Sequence, residues 1–228
     1  MRTAEKLGAF YAAMFKAYGP QGWWPADSPF EVILGAILTQ NTNWQNVERA
    51  IANLKHEGLL APAALAAVAT TDLERLTQLI RPAGTYRIKA SRLNHFLRLL
   101  TDRFAGDLEA LLALPTSALR ETILGVRGIG PETADSILLY AADRPVFVVD
   151  AYTARILHRH GLIDRDATYD DIQALMQGNL ADDVPMLKEY HALLVEVGKR
   201  HCRKRAPRCS GCPLEPCLEE GQPVLNGD

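Results

Sequence analysis

The sequence predicts an all-α protein, and three features support that prediction. Apolar residues recur along most of the chain at the i, i+3, i+4 spacing of one helix face. Short segments containing Gly, Pro or Asp separate these runs, and strand-like alternation is scarce. The chain has 228 residues, of which 48% are hydrophobic, so it can form one large domain or two small ones with their own cores.

The helical runs follow one another from residue 29 to residue 202. One further segment, RPVFVVD at 144–150, is the only plausible strand, and its alternative is an extended connector between helices. No segment repeats at a fixed period. In chain order, the helical runs are PFEVILGAILTQ, WQNVERAIANLK, APAALAAVATTDLERLTQLI, YRIKASRLNHFLRLLTDRF, DLEALLALPTSALRETIL, PETADSILLYAA, DAYTARILHRHG and PMLKEYHALLVEVGKRHC.

The charge pattern and the N-terminal sequence limit where the protein can be located and what it can bind. No apolar run reaches the roughly 20 residues of a membrane span. Glu5 and Lys16 interrupt the N-terminal stretch where a secretion signal needs continuous apolar residues. We therefore expect a cytoplasmic protein. The net charge of −2 gives no global signal for nucleic acid, but residues 199–208 contain six Lys or Arg and no acid.

All four cysteines lie close together near the C-terminus, in the pattern C-x6-C-x2-C-x4-C. Disulfides are not expected in a reducing compartment, and they would close only very small loops. A zinc ribbon usually pairs two C-x2-C motifs, whereas only one is present here. Three neighbouring cysteines and one upstream favour an iron–sulfur cluster, with zinc or free thiols as the alternatives. The four are Cys202, Cys209, Cys212 and Cys217.

The segment GVRGIGPETAD, residues 125–135, predicts a tight turn before a helix. We expect Gly128 and Gly130 to adopt positive φ and to let another backbone approach closely. The amides around Ile129 and the following helix start would then form a phosphate site. A plain turn between two helices is the alternative. The segment VVD, twenty residues later at another helix start, makes the DNA-binding interpretation more specific.

These motifs together resemble the endonuclease III branch of the helix-hairpin-helix DNA glycosylases over nearly the whole chain. The matching segments are ILTQNTNWQNV, GTYRIKA, GVRGIGPETAD, VVDAY, and HALLVEVGKRHC with the later cysteines. The resemblance implies two α-helical domains with the active site and DNA in the cleft between them. A six-helix barrel domain with the hairpin would span 27–135, and residues 1–26 and 136–228 would form an iron–sulfur cluster domain.

The resemblance also implies a cofactor and a partner. The four cysteines would bind a [4Fe–4S] cluster, although the last spacing is x4 here where the family commonly has x5. The partner would be double-stranded DNA containing a damaged base, bound by a monomer. Gln40 would fill the gap left by the extruded base, and Thr85 would occupy the position of the wedge that enters the duplex. The candidate phosphate contacts on the cluster loop are Arg203, Lys204, Arg205 and Arg208.

The resemblance implies that Asp150 is the catalytic carboxylate. As the expected N-cap of the next helix it should stay ionised, and it could stabilise positive charge at C1′ or orient water. Bifunctional members of the family carry a lysine nucleophile at the position of Glu132. Because a carboxylate cannot form an imine, we expect base excision by water without efficient strand cleavage. Glu132 either lines the base pocket or is a solvated residue of the first helical turn.

Three tryptophans predict the base pocket: Trp23, Trp24 and Trp44. Their positions resemble the 3-methyladenine glycosylase subgroup, in which aromatic residues sandwich the flipped base, and an alkylated purine is a cation that π faces bind well. We therefore expect a monofunctional DNA glycosylase of base excision repair that acts on an alkylated purine such as 3-methyladenine. The alternatives are a glycosylase for oxidised or deaminated pyrimidines, a non-catalytic iron–sulfur DNA-binding protein, and a zinc-stapled helical protein.

Overall fold

The computed structural model describes residues 2–218 and 221–225. The regular secondary structure of these residues consists of α-helical, 3-10 and π-helical segments without a strand, which confirms the all-α prediction. Two 3-10 turns, Arg81–Ala83 and Glu215–Cys217, and a π-helical segment, Ile137–Ala141, join the α-helices. The α-helices are α1 (Thr3–Tyr18), α2 (Pro29–Leu38), α3 (Trp44–His56), α4 (Pro62–Thr71), α5 (Leu73–Leu79), α6 (Tyr86–Phe104), α7 (Leu108–Leu112), α8 (Thr116–Leu124), α9 (Pro131–Ser136), α10 (Ala151–Arg159), α11 (Tyr169–Gln177) and α12 (Val184–Arg200).

The chain divides into two compact units. The hairpin unit is Trp24–Arg144, and the terminal unit combines Met1–Trp23 with Pro145–Asp228. The hairpin unit therefore starts at 24 and ends at 144, where the sequence suggested 27 and 135. It extends further because the π-helical segment after α9 packs against α2 and α9. Within the described residues, none of the helices combines the length and the apolar character needed to cross a membrane.

The core of the hairpin unit is built around α2. This helix is apolar on all sides, and eight of its ten residues are buried. Helices of this kind belong in the centre of a domain, since no face suits water. At its C-terminal end, the ammonium of Lys89 on α6 donates hydrogen bonds to the carbonyls of Leu38, at 2.8 Å, and Ala83, at 2.6 Å. Lys89 therefore satisfies carbonyls that the helix end leaves unpaired.

Two of the predicted helical runs are each divided into two helices. The run at 61–80 breaks at Asp72, whose side chain accepts a hydrogen bond from the amide of Arg75 and so starts α5. The run at 107–124 breaks before Pro115, because proline disfavours helical geometry at the preceding residue. The apolar spacing continues across both breaks, so the spacing alone did not reveal them.

The terminal unit is held together by two crossings on α12. Helix α1 packs against α12 with Leu7, Phe10 and Met14 buried. Helix α10 crosses α12 at Gly198, where a Cβ atom would lie 2.1 Å from Cδ1 of Tyr152. Such a close approach is possible only because glycine has no side chain.

The segment 144–150 is an extended connector, not a strand. Its backbone pairs with side chains of α11: Gln177 accepts from the amide of Phe147 at 3.2 Å, and Gln173 donates to the carbonyl of Phe147 at 2.7 Å. The sequence did not predict α11. Its capping box of Thr168 and Asp171 is a local signal that could have revealed it.

Candidate active site

Asp150 lies at the N-cap of α10, as its sequence context suggested. Its Oδ1 accepts a hydrogen bond of 2.7 Å from the amide of Thr153, and its side chain is 11% exposed. The other oxygen, Oδ2, lies 3.8 Å from Nε2 of His191. The carboxylate is therefore fixed by the helix start on one side and faces a buried imidazole on the other.

His191, on α12, is a site residue that sequence reasoning missed. Burial lowers the pKa of its imidazole, and the nearby Asp150 carboxylate offsets only part of that effect. The Trp23 indole lies against the same imidazole, with ring centroids 5.7 Å apart, and the Lys199 ammonium lies 5.6 Å from the Trp23 ring. The sequence signal for this site residue was a histidine among the apolar residues that form the buried face of α12.

Trp24 and Trp44 meet in the hairpin unit. Their rings contact edge to face with centroids 5.2 Å apart, and Tyr140 lies 5.3 Å from Trp24 on another side. The Trp24 indole lies directly on α2, where a Cβ at Gly35 would be 3.0 Å from Nε1. Both tryptophans are only half-buried, so neither is a core residue. Tyr140, in the π-helical segment, adds an aromatic ring that the sequence did not indicate.

This arrangement differs from a sandwich. A base held between two rings needs them parallel and separated by two stacking distances, whereas Trp24 and Trp44 stand perpendicular, at 88°. Trp23 belongs to the terminal unit and Trp24 to the hairpin unit, so the boundary between the units falls between the two residues.

The hairpin turn has one glycine at positive φ, not the two expected. Gly128 has φ 95°, while Gly130 has φ −100° and ψ 179°, which is extended backbone. Gly130 is the N-cap of α9, and a Cβ at this residue would meet no atom within 4 Å, so the backbone there is open to approach. Ile129 is buried and anchors the turn. At Gly128 the space is taken by Arg92 of α6, whose Cγ would lie 2.6 Å from a Cβ.

The two helices of the hairpin are braced by a buried ion pair. Nε and Nη2 of Arg120 on α8 donate to both carboxylate oxygens of Asp135 on α9, at 2.7 and 3.0 Å. Asp135 is fully buried, and its two hydrogen bonds to the Arg120 guanidinium offset the cost of burying its negative charge. Glu132 lies on the exposed first turn of α9, one residue after Pro131.

Gln40 is bound to the hairpin. Its amide donates to Oγ1 of Thr133 at 2.8 Å and to the carbonyl of Gly128 at 3.3 Å, while Arg92 donates to its Oε1. Thr85 precedes α6 with φ 32° and ψ 35°, a left-handed conformation that β-branched residues rarely adopt. Its side chain is exposed and makes no capping hydrogen bond.

Three of the four cysteines line one open cavity in the terminal unit: Cys202, Cys209 and Cys212. Cys217 ends the nearby 3-10 turn. In the described part of the chain, no group of three or more His, Cys, Asp or Glu side chains is arranged to hold a single metal ion. Burial raises the pKa of the Cys212 thiol to about 11 and also raises the pKa of the Cys209 thiol.

Arg159 organises the loop between these cysteines. Its guanidinium, almost fully buried, donates to Sγ of Cys202 at 3.3 Å and to the carbonyls of Arg203 and Lys204 at 2.7 and 2.9 Å. These three hydrogen bonds fix the backbone that follows Cys202 and hold its sulfur in place. The basic residues of this loop are all exposed, and the last of them also lines the cavity: Arg203, Lys204, Arg205 and Arg208.

Comparison with known proteins identifies the family. Residues 34–181 match the model of the HhH-GPD superfamily base excision DNA repair proteins. A protein of Methanocaldococcus jannaschii, provisionally named a DNA repair glycosylase, is 47% identical over 95% of this chain and 97% of its own. Endonuclease III of Thermotoga maritima is 30% identical over 82% of this chain and 81% of its own.

Solved structures agree with this assignment. A 3-methyladenine DNA glycosylase of H. pylori, bound to 1,N6-ethenoadenine, has a TM-score of 0.72 and 29% identity, covering 88% of this chain and 98% of its own. A trapped endonuclease III–DNA covalent intermediate has a TM-score of 0.80 at 22% identity, covering 97% of this chain and 98% of its own, and it supports the fold.

The chain therefore belongs to the HhH-GPD superfamily of base excision DNA repair proteins, in its endonuclease III-like branch. It is a DNA glycosylase, an enzyme that hydrolyses the N-glycosyl bond between a base and its deoxyribose. The matched segment includes the hairpin and Asp150, while the four cysteines follow it.

Proposed function

We propose that this glycosylase is monofunctional and releases an alkylated purine, such as 3-methyladenine, leaving an abasic site in an intact strand. The observation that carries the proposal is the aromatic group of Trp24 and Trp44, both half-buried, with the buried ring of Tyr140 against Trp24. Alkylation makes a purine cationic, and π faces attract cations more strongly than neutral bases. The related H. pylori enzyme, solved with a modified purine, supports a purine substrate.

Binding of a base to this aromatic group requires a small rearrangement. Because Trp24 and Trp44 contact each other edge to face, a base stacks either on the outer face of one indole or between the two after one of them rotates. Gly35 lies against one edge of Trp24 and limits the directions in which that ring can turn. Trp44 contacts Trp24 and donates a hydrogen bond of 2.9 Å to exposed Glu48 on its own helix, and it is the ring we expect to move.

Asp150 supplies the carboxylate for hydrolysis in this proposal. An alkylated purine leaves without protonation because it already carries a positive charge, so a general acid is not required. The remaining requirement is to stabilise positive charge at C1′ and to position water, and a fixed anion does both. The hydrogen bond from the Thr153 amide holds the Asp150 carboxylate in place before the substrate arrives.

Glu132 is the reason to expect hydrolysis without strand cleavage. A covalent imine requires an amine at the hairpin position, and the first turn of α9 carries a carboxylate there. A negative charge is favourable near the N-terminus of a helix. An anion at this place also attracts a cationic purine.

The DNA contacts that we propose come from both units. In the hairpin unit, Gly128 and Gly130 present backbone amides to a phosphate, while Ile129, whose amide donates to the carbonyl of Val126 at 3.0 Å, holds the turn in shape. Gln40 fills the gap left by the extruded base. Thr85 lies where a wedge would enter the duplex. In the terminal unit, the exposed basic side chains between the cysteines contact phosphates. We expect a monomer to bind double-stranded DNA in this way.

We further propose that the four cysteines hold a [4Fe–4S] cluster, so that the terminal unit is the cluster domain and the hairpin unit the barrel domain. Four thiolates are the ligand set of such a cluster, and three of the thiols already line one cavity beside Arg159. When bound, the cluster would cross-link a loop that has little apolar content of its own. Its role in this proposal is structural.

The test is base release from duplexes that each contain one modified base. The panel includes 3-methyladenine, 1,N6-ethenoadenine, uracil and thymine glycol, with the released base identified by chromatography and the abasic site revealed by hot alkali. We expect release of the alkylated purine and breakage of the strand only after alkali. Preferential release of uracil or thymine glycol would overturn the purine assignment and favour the pyrimidine alternative.

A matched pair of variants tests the aromatic group. Trp44→Phe keeps an aromatic face and should retain most of the release of 3-methyladenine, whereas Trp44→Ala removes the face. We expect the alanine variant to lose about tenfold or more, the scale of a desolvated cation–π contact together with stacking. Equal activity of the two variants would show that Trp44 does not contact the base.

A further inference from the structure

Ile88 is the most exposed large apolar side chain in the described part of the hairpin unit, at 55% exposure, compared with 41% for Leu73. It lies in the first turn of α6, three residues after Thr85. The N-cap residue and the third helical residue are neighbours on one face of a helix, so Ile88 and Thr85 project from the same place. A single exposed isoleucine is common on protein surfaces, so its surroundings decide its meaning.

The surroundings of Ile88 are strongly basic. The segment 81–98, RPAGTYRIKASRLNHFLR, contains four arginines and no acid, in a chain whose net charge is −2, while its one lysine, Lys89, is buried and adds nothing to the surface. Arg81 and Arg87, on either side of the turn, are exposed and form no ion pair with any residue that the structure describes. A positive surface with an apolar residue at its centre complements nucleic acid, in which phosphates flank a stack of apolar bases.

Contacts within the hairpin unit fix this surface relative to the hairpin. Arg92, one turn after Ile88 on α6, lies against Gly128 and donates to Gln40. His95 lies three residues further along α6, and its Nδ1 is 3.0 Å from the carbonyl oxygen of Arg127. The start of α6, Gln40 and the hairpin therefore form one continuous surface, and a duplex held by the hairpin would also meet α6.

We propose that Ile88 is the apolar wedge that enters the base stack of duplex DNA beside the extruded nucleotide, with Arg81 and Arg87 on the flanking phosphates. Thr85 is short and carries a hydroxyl, so it would replace stacking energy poorly, while the larger isoleucine can cover the exposed face of a base. This inference rests on the proposed flipping of a damaged base, and it does not depend on which base is excised.

The experiment uses a duplex with 2-aminopurine next to a tetrahydrofuran abasic-site analogue, and it records fluorescence as the protein binds. The probe brightens when it is unstacked, and the analogue requires neither excision nor a particular base. We expect brightening with the unmodified protein and with Leu73→Ser, the matched control for losing an exposed apolar residue. We expect Ile88→Ser to bind but to lose most of the brightening, and to slow single-turnover excision by about tenfold or more, as loss of one buried apolar side chain implies.

Three outcomes would overturn the proposal. The first is normal brightening with Ile88→Ser. The second is loss of brightening with Thr85→Ser but not with Ile88→Ser, which would assign the wedge to Thr85. The third is an absence of brightening with the unmodified protein. If instead brightening follows the prediction but no purine is released from any duplex, the wedge stands and the proposed substrate class fails.

Discussion

Asp150 combines a structural role with the chemical role that we propose for it. As the N-cap of α10 it accepts a hydrogen bond from the amide of Thr153, and as the proposed catalytic group it must be an anion beside the reacting sugar. The positive end of the helix dipole favours that anion. The structural role therefore assists the proposed chemical one.

Asp150→Asn separates the two roles. Asparagine caps helices about as well as aspartate, so we expect the fold and DNA binding to persist. Without the negative charge, single-turnover release of the base should fall by about 100-fold or more, the typical effect of removing one preorganised electrostatic group. Asp183→Asn, the same change at the N-cap of α12, is the control and should leave release unchanged. Undiminished release by Asp150→Asn would remove Asp150 from the mechanism.

Lys89 gives a prediction about pH. Burial lowers the pKa of its ammonium to about 8, so the folded protein loses this proton at a lower pH than the unfolded chain does. Between the two pKa values the unfolded chain binds more protons, and the free energy of unfolding must therefore rise with pH. We expect a gain of about 3 kcal/mol from pH 8 to about 10.5, since each pKa unit corresponds to about 1.4 kcal/mol. The neutral amine can still donate to both carbonyls.

Urea unfolding of the unmodified protein and of Lys89→Met measures this effect at several pH values. The difference between the two proteins removes contributions from other groups that titrate in the same range. We expect the difference to be constant below pH 8 and to grow in favour of the unmodified protein above it. A difference that stays flat to pH 10.5 would show that the Lys89 pKa is not lowered.

At the residue scale, the sequence could name the candidates that belong to short local patterns. Asp150 and the four cysteines are of this kind, because a cap position and a ligand spacing are readable within a few residues. Site roles could not be assigned to His191 and Arg92 in advance, because their partners are distant in the sequence. Asp150 lies 41 positions before His191, and Gly128 lies 36 positions after Arg92. Thr85 was named from its position, while the exposure of Ile88 emerges only in the folded protein.

At the scale of elements, the crossing of α10 and α12 positions Asp150. Gly198 permits this crossing, because a Cβ there would overlap the base of the Tyr152 side chain. Gly198→Ala should reduce the free energy of unfolding by about 1–3 kcal/mol, the usual cost of overpacking a buried contact. It should also lower base release, because α10 carries the carboxylate.

Gly8→Ala is the matched control for this crossing. Gly8 is exposed in the interior of α1, and a Cβ there meets no atom within 4 Å. This variant should gain about 0.5–1 kcal/mol, since alanine favours a helix over glycine. Chemical denaturation gives both values, and destabilisation by the two variants alike would refute the close-contact argument.

The loop between the cysteines gives a second prediction at this scale. Cys212→Ser should remove the absorbance of a bound cluster and destabilise the terminal unit, because metal binding supplies folding energy to a loop with few apolar contacts. Ser210→Ala, two residues away and exposed, should change neither property. Visible absorbance and thermal unfolding are the measurements. A colourless Cys212→Ser protein of unchanged stability would show that this loop folds without metal.

Helix positions were largely predictable because the apolar period follows directly from helix geometry. The exceptions have local physical causes. Asp72 and Pro115 end helices without interrupting the apolar spacing, and α11 was missed because its buried face is narrow, with only Ile172 and Met176 buried. The connector 144–150 has the composition of a strand, but its partners are the glutamine side chains of α11, which no local pattern specifies.

At the scale of the whole molecule, two compact units share the predicted functional residues. The hairpin, Gln40, Trp24 and Trp44 belong to one unit, while Asp150 and all four cysteines belong to the other. The terminal unit is assembled from both ends of the chain, which local sequence patterns alone cannot reveal. The family resemblance indicated such a division, and the packing of the segment after α9 moved its boundary to residue 144.

The central claim is that this enzyme excises a base with water and without a covalent imine. Borohydride trapping on a duplex with an excisable alkylated purine tests it most directly, because reduction links protein and DNA only where an imine has formed. We expect little trapped complex with the unmodified protein. Glu132→Lys, which puts an amine on the first turn of α9, should form some trapped complex. Glu121→Lys, the same change at an exposed residue of α8, should not. A strong trapped band with the unmodified protein would contradict the account, because it would mean that another amine acts as the nucleophile.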